Sequence, residues 1–490
     1  MSLHNTIRPQ VLHIVVFVLT TALAMKLFAF GLGYTLDFRV RGDAYSYLVI
    51  ADGMHSWSDA WRYAGERSAG VPLLAFAVRE GLVWIGGRTD LQSWVDAVCT
   101  TLFLVHMVAM WKFSGAVAHA QLLRTDAARY GLFAFLATFP ALIGHTTSPL
   151  SDTLALDLLL FGVVVMRAAM EPHRTSRALL LATGAGCFLG LAILVRPGSQ
   201  IAIFCGWMVM VMVMVGASLH RNCQRSAIVL STLLAGALLV LAPYAMNCNA
   251  KYGKWCVQSP ATGDIAASMQ AGLRGARTLW AMSPEIPGAA PVLADSVMLE
   301  NFYARCSVST LFGFDESSLT GCLTARPVAA TALVFKKWIG LFDHFRFTPY
   351  LENDTPVWLV WLSRGYDTLA WVGLFLTFHA MVRLAMPGAR REMRRVMLEN
   401  ASGAFLVTFS IVMLAQHTAL HVEDRYGFPV LPLCAVVLIM YGECAIRNYR
   451  QTGLRPVLPL LSVCVLAAGL FLWQVQAWDA AALAMGVTRQ

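Results

Sequence analysis

Polar residues that could do chemistry are sparse in this chain, and the first group of them follows the first long apolar run. The segment that begins at Arg39 reads RVRGDAYSY. The carboxylate of Asp43 could act as a general base that accepts the proton of an attacking hydroxyl. Arg41 and Tyr45 flank it as candidate substrate-binding residues. The alternative is an aspartate solvated in a turn after Gly42 and paired with Arg41.

Two further groups of polar residues precede predicted helices. The segment that begins at Glu66 reads ERSAGVPL, in which Pro72 suits the first turn of a helix. We expect Glu66 or Arg67 to face the same aqueous rim as Asp43, and Arg67 is a candidate substrate-binding residue. The segment SPLSD ends at Asp152, which is a candidate substrate-binding residue or simply the N-cap of the helix that follows.

Two later groups contain arginine at the end of an apolar run. Arg196 precedes Pro197, and an arginine in such a place can snorkel to the membrane surface or bind a phosphate. Near the C-terminal end of a later run, titratable residues crowd together, which is costly at a membrane boundary unless they have a function. We predict substrate contacts there for His421, Asp424, Arg425 and Tyr426, with His417 and Glu423 beside them. The alternative is an ion-pair cluster that joins two helices.

The composition indicates that lipid is the main solvent of the chain. Of its 490 residues 58% are hydrophobic and 13% are charged, whereas about a quarter are charged in a soluble domain. Apolar runs of about 17 to 25 residues, long enough to cross a bilayer as a helix, recur along the chain. The net charge of +9 comes without a basic block interleaved with aromatics, so no nucleic-acid partner is predicted. The first run, from Val11 to Gly33, is too long for a cleaved signal peptide.

We predict an all-α polytopic membrane protein with about eleven transmembrane helices and two long extracytoplasmic loops that contain surface helices. The loops are 34–91 and 247–356, and they divide the chain into an N-terminal module 1–246, the loop region 247–356 and a C-terminal module 357–490. The predicted spans are 11–33, 92–111, 130–145, 152–170, 179–195, 198–217, 227–246, 357–382, 400–420, 428–446 and 456–478.

Lysine and arginine near span ends predict the orientation, because such residues are retained in the cytoplasm. They concentrate in alternate connectors if the N-terminus is inside. The apolar segment 71–85 carries Arg79 and Glu80 near its centre, where an arginine costs about 2.5 to 3.5 kcal/mol in a span, so we predict a surface helix there. The arginines of the first loop lie outside against this tendency and are predicted to meet an anionic ligand; they are Arg39, Arg41, Arg62, Arg67, Arg79 and Arg88. Segment 325–347 is predicted to be an interfacial amphipathic helix, or else a packed loop helix.

Four of the eleven cysteines lie together in the second predicted loop. They allow three connectivities. Closure across the short turn KYGK favours Cys248–Cys256, which leaves Cys306–Cys322 as the second pair. Four reduced thiols would instead be expected if this loop were cytoplasmic.

Taken in order, these groups resemble the GT-C superfamily of glycosyltransferases, in particular the bacterial lipid-linked-sugar transferases related to aminoarabinose transferases and protein O-mannosyltransferases. The features that match are the acid in RGDAYSY, the Gly-x-Pro-Leu element, the acid after Ser151, the Arg-Pro pair and the acid-Arg-Tyr-x-x-Pro element. They correspond to Asp43, Gly70–Leu73, Asp152, Arg196–Pro197 and Asp424–Pro429.

The resemblance implies an inverting transfer of a sugar from a polyprenyl phosphate carrier to a lipid, glycan or protein acceptor at the periplasmic face of a bacterial inner membrane. Asp43 would be the base, and Arg196 and Arg425 would hold the departing phosphate. No metal-binding motif or nucleotide-binding loop occurs, so no cofactor is predicted, although the lack of a second acid adjacent to Asp43 leaves dependence on a divalent metal open. A lipid-linked-sugar transporter or flippase is the alternative, and Lys26 inside the first span would suit it. A scaffold protein is a third possibility.

Overall fold

A computed structural model describes residues 4–62, 67–171, 175–218, 223–257, 277–281, 290–294, 321, 324–325, 327–344, 355–385, 401–419, 424–454 and 457–484. The helices are α1 His4–Leu32, α2 Leu36–Arg39, α3 Asp43–Asp52, α4 Trp57–Trp61, α5 Gly70–Trp84, α6 Leu91–His119, α7 Asp126–Ala137, α8 Pro140–Thr146, α9 Ser151–Met170, α10 Thr175–Val195, α11 Gln200–Ser218 and α12 Cys223–Tyr252. They continue as α13 Pro327–Gly340, α14 Val357–Ala385, α15 Ala401–Ala419, α16 Leu431–Thr452 and α17 Leu458–Ala484. Two short 3-10 turns cover Pro197–Ser199 and Asp424–Gly427, and an antiparallel pair of strands, β1 Arg277–Ala281 and β2 Ala290–Ala294, lies between α12 and α13.

The protein is an all-α polytopic membrane protein. Within the described residues, 9 helices are long and apolar enough to cross a membrane, or 10 if the bent pair α7 and α8 is one span. Large apolar side chains on these helices face outward, among them Leu180, Leu239 and Trp473 with 73%, 67% and 67% exposure. Lipid can solvate such side chains, whereas a soluble monomer rarely leaves large contiguous apolar surface in water.

Each of the eleven predicted spans coincides with a helix or, for 130–145, with a bent helix pair, and nine of these helices pass as spans by length and composition within the described residues. The predicted span 130–145 is the pair α7 and α8, which meet at a bend of 51°. Pro140 causes the break, because a proline inside a helix lacks the N–H that would continue the hydrogen bonds but fits the first position of a new helix. The predicted span 357–382 forms the 29-residue helix α14, which carries Arg364 and Asp367 and is not among the nine.

The segment predicted as a surface helix, 71–85, forms the short helix α5. Its 15 residues extend about 22 Å, too short for about 30 Å of hydrocarbon. Arg79 lies 3.2 Å from the carboxylate of Asp52 and donates a hydrogen bond to the carbonyl of Met54. These contacts satisfy a charge that would be costly within a span.

Helix α13 packs against the rest of the protein, and its Lys337 is buried instead of facing water. Lys337 is 1% exposed and donates a hydrogen bond of 2.9 Å to the carbonyl of Thr418 at the end of α15. Trp338 donates to the hydroxyl of the same threonine at 2.8 Å. Burial lowers the pKa of Lys337 to about 7. The alternative of a packed loop helix therefore describes this segment better than an interfacial helix with flanking lysines.

Candidate active site

Asp43 is the first residue of α3, and the backbone conformation of Gly42 sets its position. Gly42 has φ 55° and ψ −120°, a conformation that side-chain-bearing residues rarely adopt. The chain therefore turns sharply before the helix and leaves the Asp43 side chain 23% exposed at its N-terminus. On the next turn, Tyr47 is buried and its hydroxyl lies 3.4 Å from the hydroxyl of Ser151, which ties α3 to the start of α9.

The carboxylate of Asp43 contacts two arginines from distant parts of the chain. Its Oδ1 lies 3.0 Å from the guanidinium of Arg67, and its Oδ2 lies 3.3 Å from Nη1 of Arg425. Arg67 is 44% exposed and Arg425 is 14% exposed. The carboxylate thus lies between a solvent-facing cation and a largely buried one.

Asp152 belongs to the same network of ion pairs. It is 1% exposed, forms an ion pair with Arg196 through Oδ1, and lies 3.7 Å from Nη1 of Arg425 through Oδ2. It does not cap its helix, because the N-cap position of α9 is Leu150 and no side chain caps the helix there. The N-cap interpretation of Asp152 is therefore wrong, and its partners are the two arginines.

Tyr426 lies between the arginines and α15. The guanidinium carbons of Arg196 and Arg425 lie 4.8 Å and 5.8 Å from the centre of its ring, within the range of cation–π attraction. His417 stacks on Tyr426 with ring centres 4.7 Å apart. The aromatic ring therefore fixes both guanidinium planes while their donor atoms face the carboxylates.

The turn that carries Arg425 and Tyr426 is locked against the end of α13. A Cβ added at Gly427 would lie 1.8 Å from the carbonyl oxygen of Leu341, so only glycine permits this approach. Phe428 follows, buried between the rings of His145 and His344 at 4.8 Å and 5.1 Å. The position of the arginine thus depends on residues far away in the sequence, at the end of α13 and on α8.

An apolar pocket opens beside the buried arginines. Its wall includes Asp152, Arg196 and Arg425, and the rest is mainly aliphatic or aromatic, including Leu156, Leu159, Ile203 and Phe409. Among the described residues of the cluster, three guanidinium groups face two carboxylates. The pocket is small, about 10 Å³, and it is the place where the charged side chains meet the apolar wall.

The structure brings together Asp43, Arg67, Asp152, Arg196, Arg425 and Tyr426 out of the predicted site. Arg41 donates from Nε to the carbonyl of Asp37 at 3.0 Å, within its own turn, and Tyr45 is 60% exposed on α3. His421 and Glu423 lie outside the described residues, as does the side chain of Asp424. Among the described residues, no three His, Cys, Asp or Glu side chains form a group that could hold a metal ion.

Several buried polar pairs around the site were not predicted. Arg39, 2% exposed, lies 2.7 Å from Asp96 and donates to the carbonyl of Thr147 at 3.0 Å. It is therefore a structural arginine and does not meet a ligand. His106 and Asp157 pair at 3.0 Å between α6 and α9, both nearly inaccessible.

His344 pairs with Asp367 at 2.8 Å beneath Phe428, and Asp343 forms an ion pair with Arg364. Together these two pairs join the end of α13 to α14. Histidine and acidic residues inside apolar runs were the signal that could have revealed the His106 and His344 pairs, but their partners lie on different helices.

Cys248 and Cys256, the local pair expected from the sequence, form a disulfide with Cα atoms 5.5 Å apart. Tyr244, one turn earlier on α12, donates a hydrogen bond of 3.1 Å to the carbonyl of Ala60 in the first loop. The disulfide thus lies at the same end of the helices as Asp43. The second predicted pair, Cys306 and Cys322, lies outside the described residues.

The arrangement of the helices, with the cluster at their ends, is a fold that this chain shares with solved structures. Two crystal structures of an oligosaccharyltransferase from Archaeoglobus fulgidus share this fold. The apo form aligns with TM-score 0.51 over 97% of this chain at 13% identity. The form tethered to an acceptor peptide containing the NVT sequon aligns with TM-score 0.51 over 96% at 14% identity.

This chain covers 56% and 55% of those two chains, so it spans about half of their length. No family model and no curated protein matches the sequence. The likeness to the archaeal enzyme is therefore one of fold.

Proposed function

We propose that this protein is an inverting glycosyltransferase that moves a sugar from a polyprenyl phosphate carrier to an acceptor at the extracytoplasmic face of the membrane. The observation that carries the proposal is the cluster of Asp43 and Asp152 with three arginines beside an apolar pocket. The archaeal oligosaccharyltransferase of the same fold has been crystallised tethered to an acceptor peptide, which supports transfer to an acceptor as the class of reaction.

The donor phosphate would bind Arg196 and Arg425. Asp152 is 1% exposed and stays paired with both arginines, whereas Asp43 is 23% exposed and can leave. A phosphate that arrives at Arg425 would therefore replace the carboxylate of Asp43 rather than that of Asp152. Guanidinium groups bind phosphate oxygens in a planar, bidentate manner, which favours this exchange.

The exchange prepares Asp43 to act as the base. An acceptor hydroxyl attacks the anomeric carbon and forms the new glycosidic bond, and its proton passes to the carboxylate of Asp43. The bond between the anomeric carbon and the phosphate oxygen breaks, and its electron pair leaves with the polyprenyl phosphate. The arginines stabilise the negative charge that grows on this oxygen in the transition state.

Asp43→Asn tests the proposal, because it removes the base and changes the volume little. We expect transfer to fall by about 10² to 10⁴, while binding of polyprenyl phosphate is kept or strengthened because Arg425 loses a competing carboxylate. Binding is measured by titration and transfer by release of polyprenyl phosphate from the sugar donor. Asp37→Asn, an exposed acid of the same loop, is the matched control and should leave both unchanged.

Arg196→Gln and Arg425→Gln should each weaken binding of polyprenyl phosphate and transfer together. Normal turnover by Asp43→Asn would exclude Asp43 as the base. Movement of the intact donor across vesicles, with the sugar bond unbroken and no effect of Asp43→Asn, would favour the transporter or flippase instead.

A further inference from the structure

A second group of charged side chains lies at the other end of the helices from the candidate active site. On α9, Asp152 is in the first turn and Arg167 in the last, about 22 Å further along the axis. Lys112 and His119 lie in the C-terminal part of α6, which packs against α9, and Arg129 lies near the start of α7. These residues line one cavity of about 380 Å³, which we name the basal pocket.

The basal pocket has an excess of positive charge. Its charged walls are Lys112, Arg129, Arg167 and Glu171, with His119 beside them. Glu171 lies 3.8 Å from Arg167, so one acid faces three permanent cations among the described residues that line the pocket. An anion of matching size would therefore be attracted to the cavity.

Arg129 shows the strongest sign of a missing acceptor. Its guanidinium carbon lies 4.9 Å from the centre of the Trp111 ring, within the range of cation–π attraction, so the ring holds it in place. Its Nε is buried and makes no hydrogen bond among the described residues. A buried donor normally has a partner, and a bound anion would supply one.

An apolar crevice adjoins the basal pocket and shares Ala116 and Arg167 with it. It lies between α6, α9, α15 and α16, with walls that include Phe113, Val163 and Leu406, and its volume is about 80 Å³. An apolar surface of this kind would not stabilise a bound free phosphate ion. A molecule with a phosphate and a hydrocarbon chain would fill both cavities.

We propose that the basal pocket binds the phosphate of an anionic phospholipid, with one acyl chain in the adjoining crevice. Basic pockets between transmembrane helices favour anionic headgroups, and each lysine or arginine near such a headgroup contributes about 1 kcal/mol, which is about fivefold in affinity. The bound lipid would join α6, α7 and α9 at the end remote from Asp43. The site is thus separate from the one proposed for the sugar donor.

The test uses the full chain purified in a neutral detergent and titrated with phosphatidylglycerol, phosphatidylcholine or inorganic phosphate, with bound ligand counted by native mass spectrometry. We expect phosphatidylglycerol to bind more tightly than either of the others. Arg129→Gln should weaken its binding about fivefold. Lys112→Gln should act likewise and, being exposed on α6, should leave the fold intact.

Arg124→Gln is the matched control, since Arg124 carries the same charge nearby but does not line the pocket. The Arg124→Gln variant should bind phosphatidylglycerol with the same affinity as the unsubstituted protein. Equal binding of phosphatidylglycerol and phosphatidylcholine, or unchanged affinity in both Arg129→Gln and Lys112→Gln, would overturn the proposal. Inorganic phosphate that binds as tightly as phosphatidylglycerol would assign the pocket to a free anion and reject the lipid.

Discussion

At the scale of single residues, the candidate site depends most on Asp152. Its carboxylate is almost completely buried and faces the guanidinium groups of Arg196 and Arg425, which are 18% and 14% exposed. Without that negative charge, two arginines would stand close together with little water to screen them. Removal of one member of a buried ion pair is costly for this reason.

Asp152→Asn should therefore lower the free energy of unfolding by about 3 to 5 kcal/mol, the range for a broken buried pair. Asp52→Asn is the matched control, because Asp52 is 75% exposed in its pair with Arg79 and surface pairs contribute about 0 to 1 kcal/mol. Thermal unfolding of the purified variants measures both effects. Equal loss in the two variants would contradict the central role of Asp152.

Single residues also show how far the sequence alone could lead to the site. Asp43, Arg196 and Arg425 could be found because each is a charged residue beside an apolar run, where charge is costly. Their mutual contacts could not, since Asp43 and Arg425 are 382 positions apart. Arg39 was predicted to meet a ligand on the same grounds as Arg67, yet it is bound to Asp96. A charged residue in a loop sequence does not show whether it forms a structural ion pair, as Arg39 does, or lies in the candidate site, as Arg67 does.

At the scale of elements, the turn Asp424–Gly427 connects the cluster of the candidate site to α13. The carbonyl of Leu341 occupies the space where a side chain at Gly427 would lie, so any larger residue must displace the turn. Because Arg425 and Tyr426 are in that turn, a displacement would alter the contacts with Asp43 and Asp152.

Gly427→Ala should reduce transfer and binding of polyprenyl phosphate and lower the melting temperature. A close contact of this kind costs about 1 to 3 kcal/mol in a packed interior. Gly442→Ala is the control: Gly442 lies within α16 with no atom within 4 Å of the added Cβ, so alanine there should stabilise the helix by about 1 kcal/mol. Unchanged activity and melting temperature in Gly427→Ala would contradict the proposed locking of the turn.

The long helices were easier to predict from the sequence than the breaks within a span. Long apolar runs predicted α6, α9, α10 and α12, since hydrocarbon thickness sets their length. The break between α7 and α8 was missed because hydropathy averages across Pro140. The burial of Lys337 was missed because the charge of a lysine normally indicates exposure, whereas here the Thr418 carbonyl accepts its hydrogen bond.

At the scale of the whole molecule, the cluster, the disulfide and the first loop lie at one end of the helices. Tyr244 joins α12 to Ala60 through a hydrogen bond. Cys248, one helical turn after Tyr244, forms the disulfide with Cys256. Disulfides persist in oxidising compartments, which supports an extracytoplasmic position for this end. The cations of the basal pocket lie at the other end, in agreement with the retention of lysine and arginine on the cytoplasmic side.

This orientation predicts the outcome of reporter fusions. Alkaline phosphatase, which folds only in an oxidising compartment, should be active when fused after Thr262 and inactive when fused after Pro387. A fluorescent protein that matures only in the cytoplasm should give the opposite pattern at the two positions, and it serves as the internal control for expression. The physical reason is that the segment after α12 leaves the end that carries the disulfide, whereas the segment after α14 leaves the end rich in arginine. The reverse pattern would place Asp43 in the cytoplasm and would remove the basis for a donor bound from the extracytoplasmic face.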